Sequence, residues 1–174
     1  QVSATAFQMV YANFFIYGHL GSSAEEVAEA RGYAFVPFTI ASGTCGANVT
    51  WTLYTNGLLK IDGYGNMESQ TDPMQLPFYN YSTQIITIEI SEGIAKVGNF
   101  TYFPTFTNCT SLTVWNPEAV FDSLAITGVS SSSKFEIRGY SGSTAQKYAE
   151  TKSLAFAPCS PILAMGRCGT TTNW

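Results

Sequence analysis

An internal repeat restricts this chain more than any other feature. Phe14-Phe-Ile-Tyr-Gly-His-Leu-Gly-Ser-Ser-Ala-Glu25 returns as Phe135-Glu-Ile-Arg-Gly-Tyr-Ser-Gly-Ser-Thr-Ala-Gln146, and the match continues to Ala34-Phe-Val-Pro37 and Ala155-Phe-Ala-Pro158. Of these 24 positions 11 are identical, at a constant offset of 121. Cys45-Gly-Ala-Asn-Val-Thr-Trp51 and Cys168-Gly-Thr-Thr-Thr-Asn-Trp174 form a second pair at offset 123. The difference of two residues falls in Thr39–Thr44 and Cys159–Arg167, which read as linkers, where insertions are tolerated. A period of domain size means an array of small units. Residues 1–44 read as the tail of a preceding unit, 45–167 as a complete unit, and 168–174 as the start of a further one.

Each repeated tail has a local physical reading. Phe14 with Ile16, and Phe135 with Ile137, are apolar pairs two apart, the period of a short strand, and Gly18 or Gly139 ends it. Ser22 with Glu25, and Ser143 with Gln146, have capping-box spacing, predicting helices over 23–31 and 144–152. Gly32 stands where a left-handed residue closes the first helix. Ala34–Val36 and Ala155–Ala157 then form strands that run into proline.

Inside the complete unit, Val49–Tyr54 and Leu58–Asp62 flank Thr55-Asn-Gly57, a strong hairpin signal. A Gly/Asn/Pro-rich stretch follows, then Phe78, Tyr79 and Tyr81. Ile86-Thr-Ile88, Leu112-Thr-Val114 and Phe135-Glu-Ile137 are strand cores spaced 26 and 23 residues apart. Parallel strands need crossovers of about a dozen residues or more, which these coils supply. The expected fold is mainly β with short helices: a β-hairpin region, then a short leucine-rich-repeat-like solenoid, then a helical capping tail.

These residues resemble the BspA-like leucine-rich-repeat surface proteins of bacteria and some protists. The likeness rests on Cys45-Gly-Ala-Asn-Val-Thr-Trp-Thr-Leu53, Ile61-Asp-Gly-Tyr-Gly-Asn-Met67 and Pro77-Phe-Tyr-Asn-Tyr81. It continues through Ile86–Gly98, Phe103 to Leu112, and the Gly139-Tyr-Ser-Gly-Ser-Thr-Ala145 tail. It implies an exported or surface-attached protein, without catalytic residues or cofactor, active in adhesion to a host or matrix protein or a glycan. Adjacent repeat units or other copies of the chain are the remaining expected partners. Members often carry many coils; about two and a half stand here between hairpin and tail, so the concave face is short.

Composition narrows the function independently. Charged residues make up 11% of the chain and its net charge is −4, so no basic cluster exists to hold nucleic-acid phosphates. Gln1–Ala24 carries no formal charge, but Gln8, Asn13, His19 and two glycines interrupt it, and no membrane span is expected in this segment. Asn48, Asn80, Asn99 and Asn108 each begin an N-x-[ST] triplet, the acceptor pattern of a secreted or surface glycoprotein. Used sequons would place the protein outside the cell.

The chemistry-bearing residues are few. His19 is the single histidine, and the other tail has Tyr140 at the equivalent position, which favours a solvent-facing turn over catalysis. Glu89 with Glu92, and Asp62 with Asp72, suit solvated edges better than acid–base work. Four cysteines lack the close His pairing of a zinc site. Cys109 reads as packing, with Asn108 and Thr110 turned outward, while Cys159 and Cys168 are spaced to close a disulfide across the linker. Tyr54, Tyr64, Tyr79, Tyr81 and Trp115 supply either a sugar-stacking face or core. The expectation is a non-catalytic adhesion module, with a fibre- or coat-forming subunit as the alternative.

Overall fold

The computed structural model describes residues 14–70, 72–99, 106–128 and 134–159. The order is β1 (Phe15–Gly18), α1 (Ser23–Arg31), β2 (Ala34–Pro37), β3 (Thr39–Gly46), β4 (Val49–Tyr54), β5 (Leu58–Gly63) and β6 (Gly65–Asn66). Two short 3-10 turns precede β7 (Thr87–Ile90), β8 (Ile94–Val97), β9 (Ser111–Val114) and β10 (Val120–Phe121). The described part ends with β11 (Glu136–Gly139), α2 (Thr144–Thr151) and β12 (Ala155–Pro158). The fold is mainly β with few short helices.

A seven-stranded sheet runs in the order β12-β11-β9-β7-β5-β4-β3. Strands β3, β4 and β5 are antiparallel, whereas β5, β7, β9, β11 and β12 pair in parallel. A second, parallel sheet has the strand order β10-β8-β6. Strands β6, β8 and β10 follow β5, β7 and β9 in the chain, and buried side chains from both sheets, such as Ile88 and Ile94, belong to one core. One row, Ala41–Leu53–Leu59–Ile88–Leu112–Ile137–Phe156, crosses all seven strands in register. Its five central members are fully buried. Burying each stabilises by about 1.5–3 kcal/mol, and a slip of one residue would turn the whole row outward.

This register corrects the frame read from sequence. The inward pairs are Ile88 with Ile90 and Leu112 with Val114, while Ile86 is 46% exposed. The aligned residues Ile88, Leu112 and Ile137 are 24 and 25 apart, a more even period than 26 and 23. Ile86 packs instead beside Gly57, across the hairpin turn. A second correction concerns Thr39–Thr44, expected as linker. It is strand, paired antiparallel with β4, and only Phe38 separates it from β2.

The two tails fold alike. Phe15 pairs with Ala34 and Gly18 with Pro37; Glu136 pairs with Ala155 and Gly139 with Pro158, the same register displaced by 121 residues. The Phe38 N–H donates to the Gly18 carbonyl at 2.8 Å, and the Cys159 N–H to the Gly139 carbonyl at 2.7 Å. The capping boxes differ from expectation in one respect. Ser143 accepts from the Gln146 N–H, but Ser22 makes no such bond and its Oγ is buried without a partner. In both tails the third residue reaches back further, Glu25 to the Gly21 N–H and Gln146 to the Gly142 N–H.

Candidate functional site

Opposite the apolar rows, the same registers line up polar residues. Ser42–Thr52–Lys60–Glu89–Thr113–Arg138 crosses six strands of the large sheet, and Ala157 continues the row on the seventh. Strand alternation dictates this: each of these residues is a direct neighbour of one that points into the core. Ser111 and Thr113, at the middle of the face, are 3% and 7% exposed.

Two ion pairs flank that middle. Lys60 Nζ stands 2.9 Å from Asp62 Oδ2, and the Arg138 Nε–H donates to Glu136 Oε1 at 2.6 Å. The hydrogen bond from Lys60 holds the Asp62 carboxyl below the usual carboxylate range, helped by the Gly63 N–H and Ser91. The same bond raises Lys60, with Asp62, Tyr54 and Glu89 adding Coulombic support. Glu89, between the two pairs, has no ion-pair partner among the described residues. At one end of the face the rings of Trp115 and Tyr140 meet edge to face, centroids 6.1 Å apart. The face therefore offers both charge signs, hydroxyls and one aromatic corner, and no strong field.

The structure buries these aromatics to different degrees. Tyr79 and Tyr81 pack against the core, Tyr64 is 65% exposed, and Tyr54 and Trp115 are half-buried. Sequence reading missed the Trp115–Tyr140 corner as a unit. The available signal was positional: Asp62, Ser91, Trp115 and Tyr140 each follow by two the row residues Lys60, Glu89, Thr113 and Arg138.

The sequons are not equivalent in the fold. Asn48, in the β3–β4 turn, and Asn80 are exposed. Asn108 is also exposed, and its Nδ2 donates to the Thr83 carbonyl at 2.6 Å. Asn99 is only 8% exposed, and its Oδ1 is buried without a partner. As expected of an inward Cys109, Asn108 and Thr110 point out. Burial pushes the Cys45 and Cys109 thiols up to about 12, so both remain protonated at neutral pH. Cys159 is half-buried; Cys168 lies outside the described residues, and the 159–168 pairing with it. His19 is exposed, bonded through Nδ1 to Thr55 Oγ1 at 2.7 Å and packed on Phe38. Among the described residues no three His, Cys, Asp or Glu side chains gather as a metal site, and no helix is long and apolar enough to cross a membrane.

No protein-family model matches the sequence, and no curated protein does. Among solved structures, the chain is similar to a leucine-rich repeat protein from Eubacterium ventriosum, with 23% identity and a TM-score of 0.42. The match covers 57% of this chain and 26% of that one, so it spans about a quarter of the solved protein.

Proposed function

We propose that the chain belongs to an extracellular or cell-surface repeat protein that works without catalysis, presenting the polar sheet face to a host or matrix protein or a glycan. In this reading the parallel coils are a short leucine-rich-repeat-like solenoid, opened by the antiparallel hairpin and capped by the βαβ tail. The supporting observation is the polar row from Ser42 to Arg138, in register across six strands. A face so built recognises through hydrogen bonds and shape, and its mixed charges reject strongly charged partners. Trp115 and Tyr140 supply a place where a sugar ring or aliphatic side chain can rest.

Adhesion of the purified chain to panels of immobilised matrix proteins and glycans tests this. Arg138→Ala and Trp115→Ala together are expected to weaken adhesion about tenfold or more, a change of about 1.4 kcal/mol per decade. Folded variants that adhere as tightly as the parent would remove the sheet face from the function.

A second reading, a structural subunit strung head to tail into a fibre or coat, is favoured by one feature. The passage from β2 to β3 takes a single residue, Phe38, so the first tail runs directly into the unit that follows it. Electron micrographs of the native assembly distinguish the two readings: a filament of regular rise supports the fibre, and isolated particles count against it.

A further inference from the structure

The two copies of the tail helix have diverged to opposite charge. Over 23–31, α1 carries Glu25, Glu26, Glu29 and Arg31, three acids against one base, for −2; over 144–152, α2 and its cap carry Lys147, Glu150 and Lys152, two bases against one acid, for +1. Glu26 and Lys147 occupy the same position in the two copies. In the second tail these lysines border an apolar groove of about 400 Å³ between α2 and β10, with Val120, Phe121 and Tyr148 among its lining. Phe121 and Tyr148 are stacked at 4.5 Å, Lys152 sits 5.8 Å over the Tyr148 ring, and Val120 is 60% exposed. Asp122 is the acid facing Tyr148, and Lys96 pairs with it at 3.1 Å. The groove is thus apolar below and cationic at its rim.

We propose that this groove is a docking site for helix α1 of a second copy of the chain. The exposed side of α1 presents Glu26, Glu29 and Ala30, with Arg31 exposed at the helix end. Ala30 fits the apolar floor without steric demand, while the two carboxylates meet Lys147 and Lys152. Groove and helix are different surfaces of the same molecule, so the contact is heterologous and strings copies into an open chain or ring. It uses neither the sheet face nor its ion pairs, and so stands or falls apart from the adhesive reading.

The test is sedimentation of the full chain across concentration, at low and at high salt. Association is expected at low salt and is reversed by salt, because its specific contacts are exposed charges. K147E/K152E and E26K/E29K, each shown folded by circular dichroism, are each expected to weaken self-association about tenfold or more. Mixing the two variants tests the pairing itself. The reversed groove repels the parent helix but accepts the reversed one, so hetero-association returns. A chain that stays monomeric at low salt and high concentration would overturn the proposal. So would association unaffected by either variant, a groove variant that fails while the helix variant does not, or a mixture that does not recover.

Discussion

Gly32 and Ser153 occupy one backbone position a repeat apart, both left-handed, with φ of 67° and 55°. Each closes its helix: the Tyr33 N–H reaches the Ala28 carbonyl, and the Leu154 N–H reaches the Ala149 carbonyl, both at 2.9 Å. Glycine takes this conformation freely, whereas serine pays for its Cβ. Ser153→Gly is expected to stabilise the chain by about 0.5 kcal/mol, and Gly32→Ala to destabilise it by about 1 kcal/mol. Urea denaturation of the two variants reads both signs.

Gly43 is constrained by contact instead. A Cβ there would stand 2.8 Å from Trp51 Nε1 and 3.1 Å from its Cε2. Trp51 is 4% exposed and wedged against Phe78 at 5.8 Å, so it has little room to retreat. Gly43→Ala is expected to cost about 1–3 kcal/mol, as overpacking does. Tryptophan fluorescence should shift with the loss of stability; an unchanged spectrum with unchanged stability would refute the packing described.

Much of this architecture was readable in the residues. The tail helices, the Asn56-Gly57 hairpin and the equivalence of the two tails follow from caps, turn chemistry and repetition, all local signals. The strand over Thr39–Gly46 was not readable. Its sequence is Thr-, Ser- and Gly-rich, and it is held by pairing with β4 and by the Gly43–Trp51 contact, neither of which is local. The coil frame slipped by two because Ile86, Ile88 and Ile90 are equally apolar, and only the register with Leu59 and Leu112 selects between them. The polar face was hidden for a related reason: its members are ordinary residues one by one, and only alignment across strands makes them a surface.

The thiols should divide by burial. Cys45 and Cys109 are 5% and 8% exposed, with thiols raised to about 12 first of all by desolvation. In the reduced native chain at about pH 8, iodoacetamide is expected to modify Cys159 and to spare Cys45 and Cys109 until urea is added, since the thiolate is the nucleophile. Mass mapping of alkylated peptides checks this. Early labelling of Cys109 would contradict its inward placement.

Asp62 gives a pH dependence with a definite sign. Its folded pKa is lowered, first by the Lys60 hydrogen bond. Its stabilising contribution is therefore complete above the unfolded value of about 3.9 and fades as pH falls through the folded one. The side chain is 53% exposed, so the contribution is small. Asp62→Asn is expected to narrow the stability difference between about pH 6 and about pH 2.5, leaving the acid limit unchanged. An equal loss at both pH values would mean that the carboxylate charge contributes nothing.

Sequon use should follow exposure. Produced in a eukaryotic secretory pathway, the chain is expected to carry glycans at the exposed Asn48, Asn80 and Asn108 and none at Asn99, whose side chain is buried. Site occupancy by peptide mass spectrometry decides this, and full occupancy at Asn99 would contradict its burial.

The most direct measurement for the adhesive role is chemical-shift mapping of the isotope-labelled chain, titrated with matrix proteins and glycans that retain it on a surface. The account predicts shifts clustered at Lys60, Glu89, Thr113, Trp115, Arg138 and Tyr140. Shifts confined to other surfaces, or none at saturating ligand, would contradict it.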